Sequence, residues 1–153
     1  MRWDSKDIDV FMNAREYVDT VVLPLLPVSF GEDMKQVVGM GEFITLLAPQ
    51  LEKQFKGRML LLQGFNYLKS NETDKLVADL HEWEEQFQSN GFKHIFFITS
   101  DSDWKAVENQ LKGSLIWLPS IPLESMDEKY KRTILENQVT QLLQLIIQNW
   151  QKD

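Results

Sequence analysis

Cysteine is absent from this chain, which excludes a disulfide framework, a thiolate metal site and a thiol nucleophile. Long hydrophobic runs are absent too: none approaches the roughly 18–20 residues that span a bilayer. The opening Met1–Asp7 is charged and lacks the apolar core of a signal peptide. The expectation is a cytoplasmic protein without a membrane partner. Positive charge is scarce, with 16 Lys and Arg against 23 Asp and Glu, and no basic tract is longer than Lys129-Tyr130-Lys131-Arg132. Nucleic-acid binders gather cations to displace phosphate counterions, so no nucleic-acid partner is expected. Histidine occurs twice, His81 inside an acidic stretch and His94 at the start of an apolar run. General-base options therefore reduce to Asp101, Asp103 and Glu32 or Asp33.

Four short apolar runs are present: Val21–Pro27, Met59–Gln63, His94–Ile98 and Leu115–Leu118. Runs that are apolar throughout, without polar alternation, belong to strands covered on both faces, which means a parallel sheet between helix layers. The stretches between them read as helices. The expected fold is a three-layer, Rossmann-like α/β domain over residues 1–153, with about four mainly parallel strands in the order 2-1-3-4 and a long C-terminal helix. Pro24 and Pro27 cannot donate to a ladder, so the first strand is expected to be irregular, bulged or at an edge. Ser5 is expected to cap the first helix. Gly39, Gly41 and Pro49 are expected to break the second helical stretch, Glu32–Phe55. The third, near Thr73–Gln88, carries a core stripe of Leu76, Leu80, Trp83 and Phe87, with the acids of Glu72–Glu85 on a solvated face. Capping boxes are expected at Ser100…Asp103 and Ser125…Glu128.

Doubly wound sheets bind ligands beyond the carboxyl ends of their strands. Those tips hold Ser29, Gly64, Asn66, Tyr67, Thr99 and Ser100 as hydrogen-bonding candidates, with Phe65 or Tyr67 available to stack a planar group. Asp101-Ser102-Asp103 is the best chemical candidate, because paired carboxylates at a strand tip suit Mg²⁺, a hard cation that prefers oxygen. Helix capping explains the same residues. No other cofactor is expected. Val37–Ile44 imitates a dinucleotide fingerprint, but Ile44 stands where the third glycine is needed and no acidic residue ends the second run. Ser29, Ser100 and Ser120 lack a nucleophile elbow and read as turn or cap residues.

The N-terminal residues Trp3-Asp4, Asp7-Ile8, Ala14–Thr20 and Pro24–Pro27 resemble the YpiF-like family of bacilli. The likeness rests on roughly the first 27 residues, with length and acidity agreeing over the rest. It implies a small cytoplasmic bacterial protein of unknown function, and it carries over no catalytic residues.

Three readings of function follow. The favoured one is a non-catalytic interaction or regulatory module, on the grounds that no nucleophile–base pair, phosphate loop or soft-metal cluster is legible. A small-molecule binder at the strand tips is the second, and a Mg²⁺-dependent phosphohydrolase or transferase centred on Asp101 and Asp103 the third. The final helix adds a partner expectation. Its apolar residues from Ile134 to Trp150 span an arc of roughly 220°, where a docked helix needs a stripe of about 100°. Either the helix lies in a groove between the sheet and the N-terminal helix, or Leu143, Ile147 and Trp150 dock a partner or a second copy.

Overall fold

The computed structural model describes residues 1–152. Its centre is β1 (Thr20–Val28), flanked on one side by β2 (Met59–Leu61) and β3 (Phe65–Leu68), and on the other by β4 (His94–Thr99) and then β5 (Ser114–Trp117). All strand pairings among the described residues are parallel. The order of the four principal strands is the expected one. The fifth, β3, extends β2 along the same edge of β1, where the sequence suggested a loop.

β1 is central, so of the irregular, bulged or edge strand that its prolines suggested, the edge is excluded, while its pairing is interrupted on one side. Backbone parity explains why. Val22 accepts from Leu62 N–H and Val28 from Lys69 N–H, so even-numbered residues of β1 face the β2–β3 side. Pro24 shares that parity, and its missing donor falls where this edge is interrupted between Leu61 and Phe65. Pro27 has the parity that faces β4, but pairing with β4 ends at Pro24↔Ile98. Neither proline removes a bond the ladder would otherwise make. At the interruption Gly64 takes φ +140°, and a Cβ there would lie 2.6 Å from Leu26 Cδ1.

Helices cover both faces. α2 (Met34–Glu52) and α4 (Glu128–Gln151) bury Phe43, Ile44, Leu47, Leu142 and Ile146 against Val22, Phe96 and Ile98. α1 (Ser5–Asn13), α3 (Thr73–Ser89) and a 3₁₀ segment, Ser102–Gln110, cover the alternate residues Val21, Leu23, Ile95 and Phe97. Right-handed crossovers require this division: the chain moves one way along the sheet from β1 through α2 to β2, and the other way from β3 through α3 across to β4, so the two connecting helices fall on opposite faces.

Several local expectations are corrected. α2 runs unbroken through Gly39, Gly41 and Pro49, because its buried face outweighs weak propensity and Pro49 sits in the last turn. Asp4, not Ser5, caps α1, its carboxylate accepting from Asp7 N–H at 2.8 Å. Asp101 caps the 3₁₀ segment and Asp127 caps α4, in place of Ser100 and Ser125. α4 packs beside α2, not beside the N-terminal helix, burying the stripe Leu135, Val139, Leu142 and Ile146. The Met1 α-ammonium is buried, donating to the Met59 carbonyl at 2.6 Å and pairing with buried Glu52 at 3.1 Å.

Candidate functional site

The crevice where β1 and β4 diverge is the first place to look for a site. Thr99, fully buried at the end of β4, donates from Oγ1 to the Leu25 carbonyl at 3.1 Å and so ties the two strand ends together. Asp101 follows, also buried. Tyr67 reaches it from β3, its hydroxyl donating to Oδ2 at 2.6 Å and accepting from Trp104 Nε1–H at 2.8 Å. Lys69 Nζ lies 2.8 Å from both Asp101 Oδ1 and Asp103 Oδ2. The sequence offered these aspartates as helix-capping residues or as a pair for a divalent cation; here Asp101 caps the 3₁₀ segment and both carboxylates share an ammonium. Among the described residues no group of three or more His, Cys, Asp or Glu side chains is gathered to hold a metal.

The electrostatics agree with a closed network. Burial raises the Tyr67 phenol above its ordinary value, and the hydrogen bond to and charge of Asp101 raise it further. Burial pulls the Lys69 ammonium downward, but its hydrogen bonds to Asp101 and Asp103 outweigh this and leave its pKa raised. The phenol stays protonated and the lysine charged at neutral pH, which suits structural roles and leaves neither poised as a base.

The remaining tip candidates are spread out. Ser29 donates to Asp33 and accepts from Gly31 N–H, forming a turn after β1. Asn66 is exposed on β3, and Gly64 is the joint between β2 and β3. Ser100 is buried, its carbonyl accepting from Trp117 Nε1–H at 3.2 Å, while its hydroxyl has no hydrogen-bond partner among the described residues. Lys69 was missed from sequence. The signal was there in the alternation of Phe65, Tyr67 and Lys69 along one side of an extended stretch.

At the opposite end of the sheet, Arg58 makes a two-pronged contact with Asp19 at 2.9 and 3.2 Å. Its guanidinium lies 3.9 Å over the Trp150 ring. Trp150 Nε1–H donates to Thr20 Oγ1 at 2.8 Å, and the ring meets Phe55 edge-on at 4.7 Å. Burial raises the Asp19 carboxyl, but the hydrogen bonds from Arg58 and Thr20, with the charges of Arg58 and His94, more than reverse this and hold it below its usual value. Of the three α4 residues picked out from sequence, Trp150 is thus engaged inside its own chain, Leu143 is half-buried, and Ile147 is exposed.

A more open, apolar cleft lies elsewhere. Between α1 and α3 the sheet face is incompletely covered, leaving a cleft of about 760 Å³ floored by Val21, Leu23 and Leu60 and walled by Ile8, Phe11 and Phe87. Three large apolar side chains stand at its rim and remain exposed: Trp3 at 55%, Met12 at 65% and Trp83 at 40%. Trp83 was expected in the core. The buried position next to it belongs to Glu84, which is fully enclosed and accepts from the amides of Lys112 and Gly113 at 2.6 and 2.7 Å. Its other oxygen faces His81 Nε2 at 3.8 Å. α3 is thereby rotated so that Trp83 overlooks the cleft.

Fold and site together define an α/β protein with an internally satisfied polar cluster at its strand tips and an open apolar cleft on one face. The chain belongs to the family described as "Protein of unknown function (DUF2487)", whose model matches residues 9–150. It is 35% identical over 150 residues, 98% of each chain, to the protein of Bacillus subtilis strain 168 described as "Uncharacterized protein YpiF". No solved structure matches it.

Proposed function

We propose that this protein is a non-catalytic, cytoplasmic interaction module that docks a partner in the cleft between α1 and α3. The observation that carries this reading is the cleft itself, an apolar opening of about 760 Å³ rimmed by exposed Trp3, Met12 and Trp83. Large apolar side chains gathered around one opening are a hallmark of interaction surfaces, and tryptophan is enriched among residues that dominate binding energy. Readings at the strand tips ask for more. A Mg²⁺ ion would have to displace the Lys69 ammonium, and a small molecule would have to compete for Tyr67 and Thr99 with the bonds they already make.

The test is site-specific photocrosslinking in the native cell, with a photoreactive phenylalanine at position 12 or 83 and, as control, at the exposed Tyr130 on the opposite side of the sheet. A discrete adduct from positions 12 and 83, absent from 130, supports the docking reading. Equal adducts at all three positions, or none at 12 and 83, contradict it.

A further inference from the structure

We propose that two copies of this chain pair through the outer faces of their α4 helices, antiparallel about a two-fold axis near Gln144, on the side of the sheet opposite the cleft. The observation is a missing charge. From Asn137 to Gln151 the chain has no Lys, Arg, Asp, Glu or His, although 25% of the whole chain is charged. Burial does not account for this. The inner stripe of Val139, Leu142 and Ile146 packs on the sheet, but Asn137, Gln141, Gln144, Gln148 and Gln151 are exposed. Their spacings of four, three, four and three keep them on one line along the helix. Leu145, 50% exposed, and Ile147, 39% exposed, flank that line, one on each side. Solvated helix faces ordinarily carry Lys and Glu, whereas the core of a protein–protein interface is depleted of charge.

The occupant that this face fits is a second copy. A two-fold interface pairs each patch with itself, and a chain of net charge −7 repels its own image wherever acidic surfaces meet. The uncharged line removes that repulsion. Each Asn or Gln side chain both donates and accepts, so a row of amides is complementary to an identical row, as a row of Lys or of Glu is not. The direction follows from the ends. Glu136 and Lys152 bracket the stretch, and antiparallel pairing centred on Gln144 brings Glu136 of one copy level with Lys152 of the other. Parallel pairing would set Glu136 level with Glu136. The antiparallel arrangement also sets Asn137 level with Gln151 and places Leu145 of each copy beside the other. From Asn137 to Gln151 the contact runs about 21 Å at 1.5 Å per residue.

Sedimentation velocity of the full chain over a range of concentrations reads the oligomeric state. A species of twice the 18.0 kDa chain mass is expected. Gln144→Lys sets two ammonium groups against each other at the axis and is expected to raise the dimer dissociation constant at least about tenfold. Because Gln144 is exposed, circular dichroism of the variant should match that of the parent. Disulfide formation reads the orientation, and the absence of cysteine from the chain leaves a clean background. Under mild oxidation Gln144→Cys is expected to give a covalent dimer and Asn137→Cys none, because in the antiparallel pair only a residue at the axis comes close enough to its own copy. A monomer at every concentration, a dimer that withstands Gln144→Lys, or a dimer with no crosslink at position 144 overturns the proposal. So does crosslinking at position 137 as strong as at 144, which marks a parallel pair.

Discussion

Glu84 shows how one side chain sets a surface. Its carboxylate is buried because the turn Lys112-Gly113 presents two amides that nothing else satisfies as well. Holding that turn fixes the rotation of α3, which leaves Trp83 over the cleft. Glu84→Ala would strand both amides, and a loss of about 3 kcal/mol is expected from the cost of unmaking hydrogen bonds to a buried charged group; urea denaturation measures it, and a loss below ~1 kcal/mol would mean that the turn is held by other means. The network at Tyr67, Asp101 and Lys69 predicts a pH dependence. Both Tyr67 and Lys69 have folded pKa values raised above their unfolded values. Their contribution to stability is complete below the unfolded values, about 10 for both, and is lost as pH rises toward the folded ones. Stability should fall above about pH 10, and Tyr67→Phe, though less stable at pH 7, should show a shallower fall. Parallel pH profiles for the two proteins would refute this. The role of Glu84 was not legible in advance. A glutamate in an acidic helical stretch looks solvated, and only the distant amides of residues 112 and 113 give it a reason to be inside.

Secondary-structure elements were more readable than the joints between them. Apolar runs bounded by Gly, Asn and Pro marked four strands, since a doubly covered strand has no polar face to interrupt it. β3 escaped because its alternating Phe65-Asn66-Tyr67-Leu68 follows Gly64 and resembles a tip. The choice among an irregular, bulged or edge strand stayed open for β1, because the harmlessness of Pro24 and Pro27 depends on where its neighbours stop, which no local window contains. The 3₁₀ segment Ser102–Gln110 and the turn after it show a further constraint of this kind. At Gly113 a Cβ would lie 2.8 Å from both Ile95 Cγ2 and Phe97 Cε2, so the turn enters β5 pressed against β4. Gly113→Ala is expected to cost about 2 kcal/mol through overpacking, seen as a lower melting temperature. Gly39→Ala, at a half-buried position of α2 with open space around its Cβ, is expected to stabilise by up to about 1 kcal/mol. Reversal of that order would contradict the packing described.

At the scale of the molecule, polar chemistry and exposed apolar surface are separated. The carboxyl ends of the strands, where ligands commonly sit in such sheets, are closed by Thr99, Tyr67, Asp101 and Lys69 bonding to one another and to the backbone. The opening lies on the side, between α1 and α3, where a short first helix leaves part of the sheet uncovered. The sequence revealed the sheet and the acidity of Glu72–Glu85 but not the cleft, because its lining draws on α1, β1, β2 and α3, which are far apart along the chain. Amide hydrogen exchange of the full chain, with and without a saturating amphipathic helical peptide that presents a Leu/Phe face, tests the account most directly. Slower exchange is predicted within Ile8–Asn13 and Asp79–Asn90, with Lys69 and Ser100–Trp104 unchanged. Protection concentrated at Lys69 and Ser100–Trp104, with α1 and α3 unaffected, would contradict it.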